Sequence, residues 1–189
     1  MRILSEDFVS LKRRFYVLLH PRLTVLITTY CGGDKYNVMP CSWHTPVSWE
    51  PNLILVVIDK ENFTHECIMN TKEFVVNVID DTYLNKIMKL TVHGKRVDKF
   101  KRVGIETIKA KYVKAPIIKD ALGYLEAKVY KTVDLEEETI FIGEVLHAAM
   151  RKDVYYKGGW NYNNARLIFH HWDNYFIKLD PKSFTEAPE

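Results

Sequence analysis

The chain lacks the features of a membrane-spanning or exported protein. No apolar run approaches the roughly 20 residues that a helix needs to cross a bilayer. The N-terminus, MRILSEDFVSLKRRF, contains acidic residues and has no apolar segment of the kind found in a signal peptide. We therefore expect a cytoplasmic protein without a membrane partner.

Charge, cysteine and histidine patterns exclude several classes of function. The net charge is only +3, with lysine and arginine interleaved with acids, which argues against nucleic acid as a partner. Three cysteines, Cys31, Cys41 and Cys67, stand at wide spacing without a Cys-x-x-Cys motif, so we expect free, buried thiols. His170 and His171 would point to opposite faces of a strand, and no other histidine spacing favours a metal site.

What the chain does contain is a series of β-strands with a few short helices between them. Apolar and β-branched runs predict strands, and glycine-containing turns such as CGGDK predict hairpins. Helical spacing and a closing glycine predict three short helices. The predicted elements are strands at 23–29, 36–39, 53–58, 74–79, 125–133, 139–150, 165–171 and 175–179, and helices from residue 63, at 82–89 and at 98–104. This order is typical of an antiparallel barrel, closed or split, that leaves an open mouth for a ligand.

The segment NVMPCSWHTPVSWEP, residues 37–51, is the most informative one. It predicts a short strand that ends in an irregular loop between two core strands. Irregular backbone leaves N–H and C=O groups free, so we expect this loop to line a ligand site.

Four segments together resemble the flavin reductase-like family with the FMN-binding split barrel, especially its flavoredoxin-like branch. They are NVMPCSWHTPVSWEPN, DKENFTHECIMNTKEFVVNV, HGKRVDKF and FIGEV, found in the family's order. The resemblance implies a mainly β fold, an FMN-binding split β-barrel of Greek-key antiparallel strands with short inserted helices. It also implies one domain over residues 1–189, with a core at about 16–150 and C-terminal strands and a tail at 151–189.

The resemblance further implies a homodimer that binds FMN noncovalently at the subunit interface. The ring would meet the first segment, and the phosphate would meet the start of the first helix and the glycine-lysine pair of the third segment. The positions that match are Asn37, Met39, Cys41, Ser42, Trp43 and Thr45 for the ring, and Lys60, Asn62, Phe63, Thr64, Gly94 and Lys95 for the phosphate. His93 and Arg96 depart from the family pattern, which usually has serine and aspartate there.

Several residues admit a second interpretation. Trp43 would stack on the ring or belong to the barrel core, and Asn62 or Thr64 would serve the phosphate or simply cap the helix. The aromatic residues around Gly158-Gly159 in the tail would cover the flavin site of the partner subunit or lie on the surface. Asn77 favours a hydrogen-bonding role in its strand over flavin binding.

Two functions follow from the resemblance. The first is an FMN-dependent oxidoreductase that takes hydride from NAD(P)H and passes electrons to a small molecule or a protein. No G-x-G-x-x-G motif follows a strand, so the nicotinamide would bind without a Rossmann domain. The second is an FMN-containing electron carrier that exchanges electrons only with redox protein partners. No catalytic side chain is predicted, because the flavin itself carries out the chemistry.

Overall fold

The computed structural model describes residues 8–180 and residue 182, and the first part of the predicted lead-in and the end of the predicted tail lie outside them. Short 3-10 helices occur at Lys12–Leu19, Asp81–Tyr83, Gly94–Arg96 and Lys152–Val154. The α-helices are α1 (Phe63–Thr71), α2 (Leu84–Leu90) and α3 (Lys99–Val103). The strands are β1 (Arg22–Leu23), β2 (Val25–Tyr30), β3 (Tyr36–Cys41), β4 (His44–Ser48), β5 (Leu53–Asp59), β6 (Glu73–Val78), β7 (Thr107–Ile108), β8 (Ile117–Ile118), β9 (Gly123–Asp134), β10 (Glu138–Met150), β11 (Tyr155–Tyr156), β12 (Gly159–Trp160), β13 (Ile168–Trp172) and β14 (Tyr175–Lys178). None of the helices within residues 8–180 has the length and hydropathy of a membrane-spanning segment.

A seven-stranded antiparallel sheet forms the body of the fold, in the order β3-β2-β6-β9-β10-β5-β4. Its two edge strands, β3 and β4, are consecutive along the chain and are joined by only Ser42 and Trp43. Because so short a link spans at most about 11 Å, the sheet must curve until its edges meet. The result is a barrel split between β3 and β4, and the prediction of a mainly β split-barrel fold with short helices is confirmed.

The barrel interior holds one apolar cluster. It is built from alternate residues of the strands together with Ile68 of α1, which packs into the cluster. Gly143 on β10 makes room for an aromatic ring, since a Cβ there would stand 2.7 Å from Cζ of Phe74. The buried members are Val25, Ile27, Cys41, Ile54, Val56, Ile58, Ile68, Phe74, Val76, Ala127 and Phe141.

A second cluster packs α2 and α3 against the outer face of β2 and β3, through residues such as Leu26 and Val38. Asn77 of β6 fixes the segment around Ile118, which packs in this second cluster. Its fully buried amide donates to Leu26 O (3.1 Å) and to Thr28 Oγ1 (3.0 Å), and its oxygen accepts from Ile118 N (2.8 Å). The structural role predicted for Asn77 is therefore confirmed.

The expectation of three free thiols was wrong for two of them. Cys31, just after β2, and Cys67, in α1, form a disulfide, and Cys41 alone among the described cysteines is free. The pairing could not be foreseen from spacing because the two residues lie 36 positions apart and meet only when α1 packs on the β2–β3 hairpin. A disulfide of this kind anchors the hairpin tip to the helix.

The irregular loop predicted after residue 40 is largely a strand. β4 pairs with β5 from His44↔Val56 to Ser48↔Leu53, with a bulge between Pro46 and Ser48. The run of threonine, proline and serine suggested coil, but proline is tolerated on an edge strand because its missing N–H need not serve the ladder. The backbone of this segment is therefore a sheet edge.

Candidate functional site

The start of α1 is the first part of the candidate site. α1 begins at Phe63, and the side chain of Asn62 makes no capping hydrogen bond. The Thr64 hydroxyl instead accepts from Asn37 Nδ2 at 2.7 Å. The capping role considered for Asn62 and Thr64 was therefore wrong. The first backbone N–H groups of α1 and the helix dipole remain available to an anion.

Asn37 lies at the centre of this part of the site. It is 1% exposed, and its Oδ1 has no hydrogen-bond partner among the described residues. Gly94 packs directly on it, since a Cβ at Gly94 would stand 2.2 Å from Asn37 Oδ1. A glycine is required at this position because any side chain would collide with Asn37.

Lys99 lies beneath the same turn. A Cβ at Gly94 would be 3.2 Å from Lys99 Cε, and Lys99 Nζ donates to Leu90 O at 2.8 Å. Lys99 is 4% exposed and makes no ion pair with a described carboxylate. Burial lowers the pKa of Lys99 from 10.5 to about 8. This buried cation adds positive potential below the turn.

Lys95 and His93 stand on the solvent side of the turn. Lys95 Nζ pairs with Glu66 at 2.9 Å, and both side chains are about half exposed, so the pair is weak and exchangeable. The His93 ring lies 6.3 Å from the Phe63 ring, and its Nε2 is 3.2 Å from Glu61 O. Lys95 borders a groove of about 910 Å³ that Phe63 and Gly94 also line.

Lys60 is not brought into this cluster. Its ammonium group pairs with Asp134 at 2.9 Å and donates to backbone carbonyls of the β9–β10 turn, among them Glu136 O at 3.2 Å. The hydrogen bond from Lys60 lowers the pKa of Asp134. Burial, and secondarily Lys60, lowers the pKa of the nearby His65.

The β3–β4 link is the second part of the candidate site. Arg22 fixes its backbone, because Nε donates to Ser42 O at 2.7 Å and Nη2 donates to His44 O. Ser42 Oγ lies 3.3 Å from His170 Nδ1. Cys41 Sγ donates to Trp43 O at 3.5 Å, and burial raises the pKa of Cys41 to about 11. A buried neutral thiol is inert, so Cys41 contributes packing.

An apolar pocket of about 270 Å³ adjoins the link. Trp43 borders it and is 39% exposed, with its ring 6.0 Å from the Tyr16 ring, so Trp43 is not a core residue. Thr45 is an exposed neighbour on β4. The pocket is lined by Phe15, Tyr16, Leu19, His20, Arg22, Trp43, His44, Thr45, Leu55 and Val57.

Sequence reasoning missed the residues that reach this pocket from elsewhere in the chain. Burial lowers the pKa of His44, which borders the pocket from β4, and the contact of its Nε2 with Leu23 O at 2.9 Å partly offsets this decrease. The two ring nitrogens of His20 are buried and have no hydrogen-bond partner among the described residues. Tyr16, His20 and Arg22 precede the first long strand, β2. The nearby Pro21 is the only local signal in the sequence that marks this region.

β3 connects the two parts of the site. Met39 and Cys41 pack on the interior cluster, so their side chains face the barrel rather than solvent. Asn37, Met39 and Cys41 alternate along one face. As an edge strand, β3 also leaves backbone N–H and C=O groups outside the sheet ladder. A ligand along this edge would therefore meet backbone groups.

The β11–β12 hairpin carries exposed aromatic side chains. Tyr155 and Tyr156 are 56% and 57% exposed on the β11–β12 hairpin, which matches the surface interpretation within one chain. Trp160 instead packs against the cluster around Leu122 and Leu167.

Fold and site together define a split barrel in which a helix start without a side-chain cap lies at one end of an open strand edge. The family described as Flavin reductase like domain matches residues 17–167. A protein of Archaeoglobus fulgidus is 36% identical over 130 residues, which cover 68% of this chain and 72% of the relative. The chain therefore belongs to the flavin reductase-like domain family.

A second relative and a solved structure are similar to most of the chain. An NADH-dependent FAD reductase of Streptomyces globisporus is 26% identical over 159 residues, covering 82% of this chain and 84% of the relative. The crystal structure of flavoredoxin from Methanosarcina acetivorans superposes with a TM-score of 0.79 at 23% identity, covering 99% of this chain and 94% of that chain. This likeness shows the shared fold.

Proposed function

We propose that the protein binds FMN noncovalently and acts as a flavin-dependent oxidoreductase that takes electrons from NAD(P)H. The observation that carries this proposal is the cluster of Asn37, Thr64 and Gly94 at the open start of α1, at one end of the β3 edge. Family membership supports the flavin, and the Streptomyces relative supports the nicotinamide substrate.

The phosphate would lie at the start of α1. There it would meet backbone N–H groups of Phe63 and Thr64, with Asn62 before them and the turn at Gly94 and Lys95 opposite. Lys95 would exchange its exposed partner Glu66 for the phosphate, which costs little because the existing pair is solvated. Lys60 would contribute only by leaving Asp134.

The residues present fit a flavin on one further observation. Asn37 Oδ1 is a buried acceptor without a donor among the described residues. Buried polar atoms are nearly always hydrogen-bonded, and a ribityl hydroxyl would supply the missing donor.

The ring would lie along the β3 edge toward the link. Backbone groups of Met39, Cys41 and Ser42 would meet its polar edge, and Trp43 and Thr45 would border it from β4. Arg22 holds the carbonyls of Ser42 and His44 and so fixes the direction of the link. When bound, the flavin supplies hydride and electron transfer, and the chain orients it and tunes its environment.

A homodimer is part of the proposal. Trp49 is 94% exposed beside β4, and Val47 is 45% exposed. Exposed apolar side chains of this kind near a ligand site mark interaction surfaces, and a second copy would bury them beside the link.

An absorption spectrum of the purified protein, followed by anaerobic addition of NADH or NADPH, tests the proposal. We expect the visible bands of oxidised flavin, which bleach on mixing with the nicotinamide. Bands that persist until dithionite is added would support the electron carrier instead. A colourless protein that takes up no FMN would overturn both.

A further inference from the structure

The groove beside the flavin-phosphate site is much larger than one phosphate requires. Its volume of about 910 Å³ lies near the upper end for sites that hold whole organic ligands. Its walls come from the β2–β3 hairpin, the 94–101 segment and the stretch from β7 to β8. It is lined by Tyr30, Gly33, Asp34, Lys35, Tyr36, Phe63, Gly94, Lys95, Arg96, Val97, Asp98, Phe100, Lys101, Thr107, Ile108, Lys109, Val113, Lys114 and Pro116.

The lining is strongly basic. It contains six cations and only two carboxylates, a surplus of four positive charges, whereas the whole chain has a surplus of three. The remainder of the chain is therefore slightly negative, and the positive charge is concentrated in this groove. Grooves lined by one sign of charge attract ligands of the opposite sign.

Three of these cations are uncommitted. Within the described residues, Lys35, Arg96 and Lys109 make no side-chain hydrogen bond or ion pair, whereas Lys95 and Lys101 pair with Glu66 and Asp98. Like charges that gather without counter-ions repel one another, and an anionic ligand would relieve this repulsion.

The groove also offers flat aromatic surfaces. The rings of Tyr30 and Tyr36 lie 5.6 Å apart across the β2–β3 hairpin, and Lys114 Nζ stands 5.2 Å from the centre of the Tyr30 ring. Stacking of a nucleobase on such a ring contributes about 1–3 kcal/mol. A ligand that combines phosphates with a planar base matches both features.

Phe63, Gly94 and Lys95 belong to this groove and to the proposed flavin-phosphate site. A ligand that continues beyond the flavin phosphate would therefore enter the groove directly. We propose that the groove binds the adenosine diphosphate half of a dinucleotide, with the phosphates near Lys95 and Arg96 and the adenine against the hairpin tyrosines. The inference rests on the proposed function, since that function supplies the neighbouring flavin.

Calorimetric titration with ADP, pyrophosphate, FMN and FAD tests the groove. The test variant is Lys35→Glu/Lys109→Glu, which reverses two uncommitted lysines outside the proposed flavin contacts. The matched control is Lys131→Glu, an exposed lysine on β9. Circular dichroism and the melting temperature verify that both variants fold, and Lys35→Gln/Lys109→Gln replaces the test variant if it does not.

We expect ADP to bind the unmodified chain more tightly than pyrophosphate, and the test variant to weaken ADP binding about tenfold, equivalent to about 1.4 kcal/mol. FMN binding should change less than twofold in the test variant, and the control should leave all four ligands unaffected. Equal binding of pyrophosphate and ADP would overturn the assignment of an adenosine site. Absence of ADP binding at millimolar concentration would overturn the proposal that the groove is a nucleotide site.

Two measurements distinguish whether the adenosine half belongs to the flavin or to the nicotinamide substrate. If it comes from the flavin, FAD binds more tightly than FMN and the test variant removes the difference. If it comes from the nicotinamide substrate, FAD and FMN bind equally and the test variant raises the KM for NADH or NADPH without changing kcat. Failure of the proposed function is distinguishable, because then neither flavin binds while the ADP titration still reports on the groove.

Discussion

The amide of Asn37 on β3 donates to the hydroxyl of Thr64 in the first turn of α1 at 2.7 Å, with both side chains buried. This hydrogen bond fixes the start of the helix to the edge strand. It also turns Asn37 Oδ1 toward Gly94, so that one asparagine sets the positions of two other segments.

Gly94→Ala is expected to destabilise the protein and weaken flavin binding. The new Cβ would stand 2.2 Å from Asn37 Oδ1, and Asn37 cannot move aside because Thr64 holds its amide. Overpacking of this kind costs about 1–3 kcal/mol in the free energy of unfolding. Urea denaturation and FMN titration measure the two effects. Gly159→Ala is the matched control, since nothing lies within 4 Å of its Cβ; equal losses in both variants would contradict the prediction.

The Cys31–Cys67 disulfide is expected to stabilise the protein by about 2–4 kcal/mol, because it constrains the unfolded chain. Dithiothreitol should therefore lower the free energy of unfolding of the wild type. The variant Cys31→Ala/Cys67→Ala should be insensitive to the reductant. The same dependence on dithiothreitol in both proteins would exclude a stabilising disulfide.

Cys41 is expected to be silent toward thiol reagents in the native state. Burial raises its pKa to about 11, so little thiolate exists at neutral pH, and the buried sulfur is also inaccessible. Ellman's reagent should detect no thiol in the native protein and one per chain after unfolding without reductant. Three thiols on unfolding would show that Cys31 and Cys67 are not paired.

Lys99 is expected to give stability a distinctive pH dependence. Burial lowers its pKa from 10.5 to about 8, so between these values the unfolded chain binds a proton that the folded chain does not. The free energy of unfolding of the wild type should therefore rise, relative to Lys99→Met, as the pH increases from 8 to 10.5. Denaturation at several pH values measures this difference, with Lys101→Met on the same helix as the baseline. A difference that stays constant or falls would contradict the prediction.

Patterns that depend on neighbouring residues were predictable from sequence. The long β9–β10 hairpin follows from its two β-rich runs on either side of an acidic turn, and α3 ends where Gly104 adopts a positive φ of 64°, as its glycine predicted. Asn77 was assigned to its strand because its neighbours are apolar on both sides.

Features that depend on tertiary packing were not predictable. The Cys31–Cys67 bond requires α1 to fold onto the hairpin tip, and the strand at β4 requires an edge position that tolerates Pro46. Arg22 reaches the β3–β4 link because β2, which follows it, pairs with β3 as far as Val25↔Cys41. Lys60 fits the family pattern in sequence, but the β9–β10 turn supplies an acidic partner that no local pattern reveals.

The attachment of α1 at two points has a consequence for ligand affinity. Asn37 holds the first turn of the helix, and the disulfide at Cys67 holds the following turn to the same hairpin. The helix start and the hairpin therefore form one preorganised unit, whose conformational entropy is already lost on folding. A phosphate that binds there need not order its own binding site, so a larger part of each contact appears as affinity.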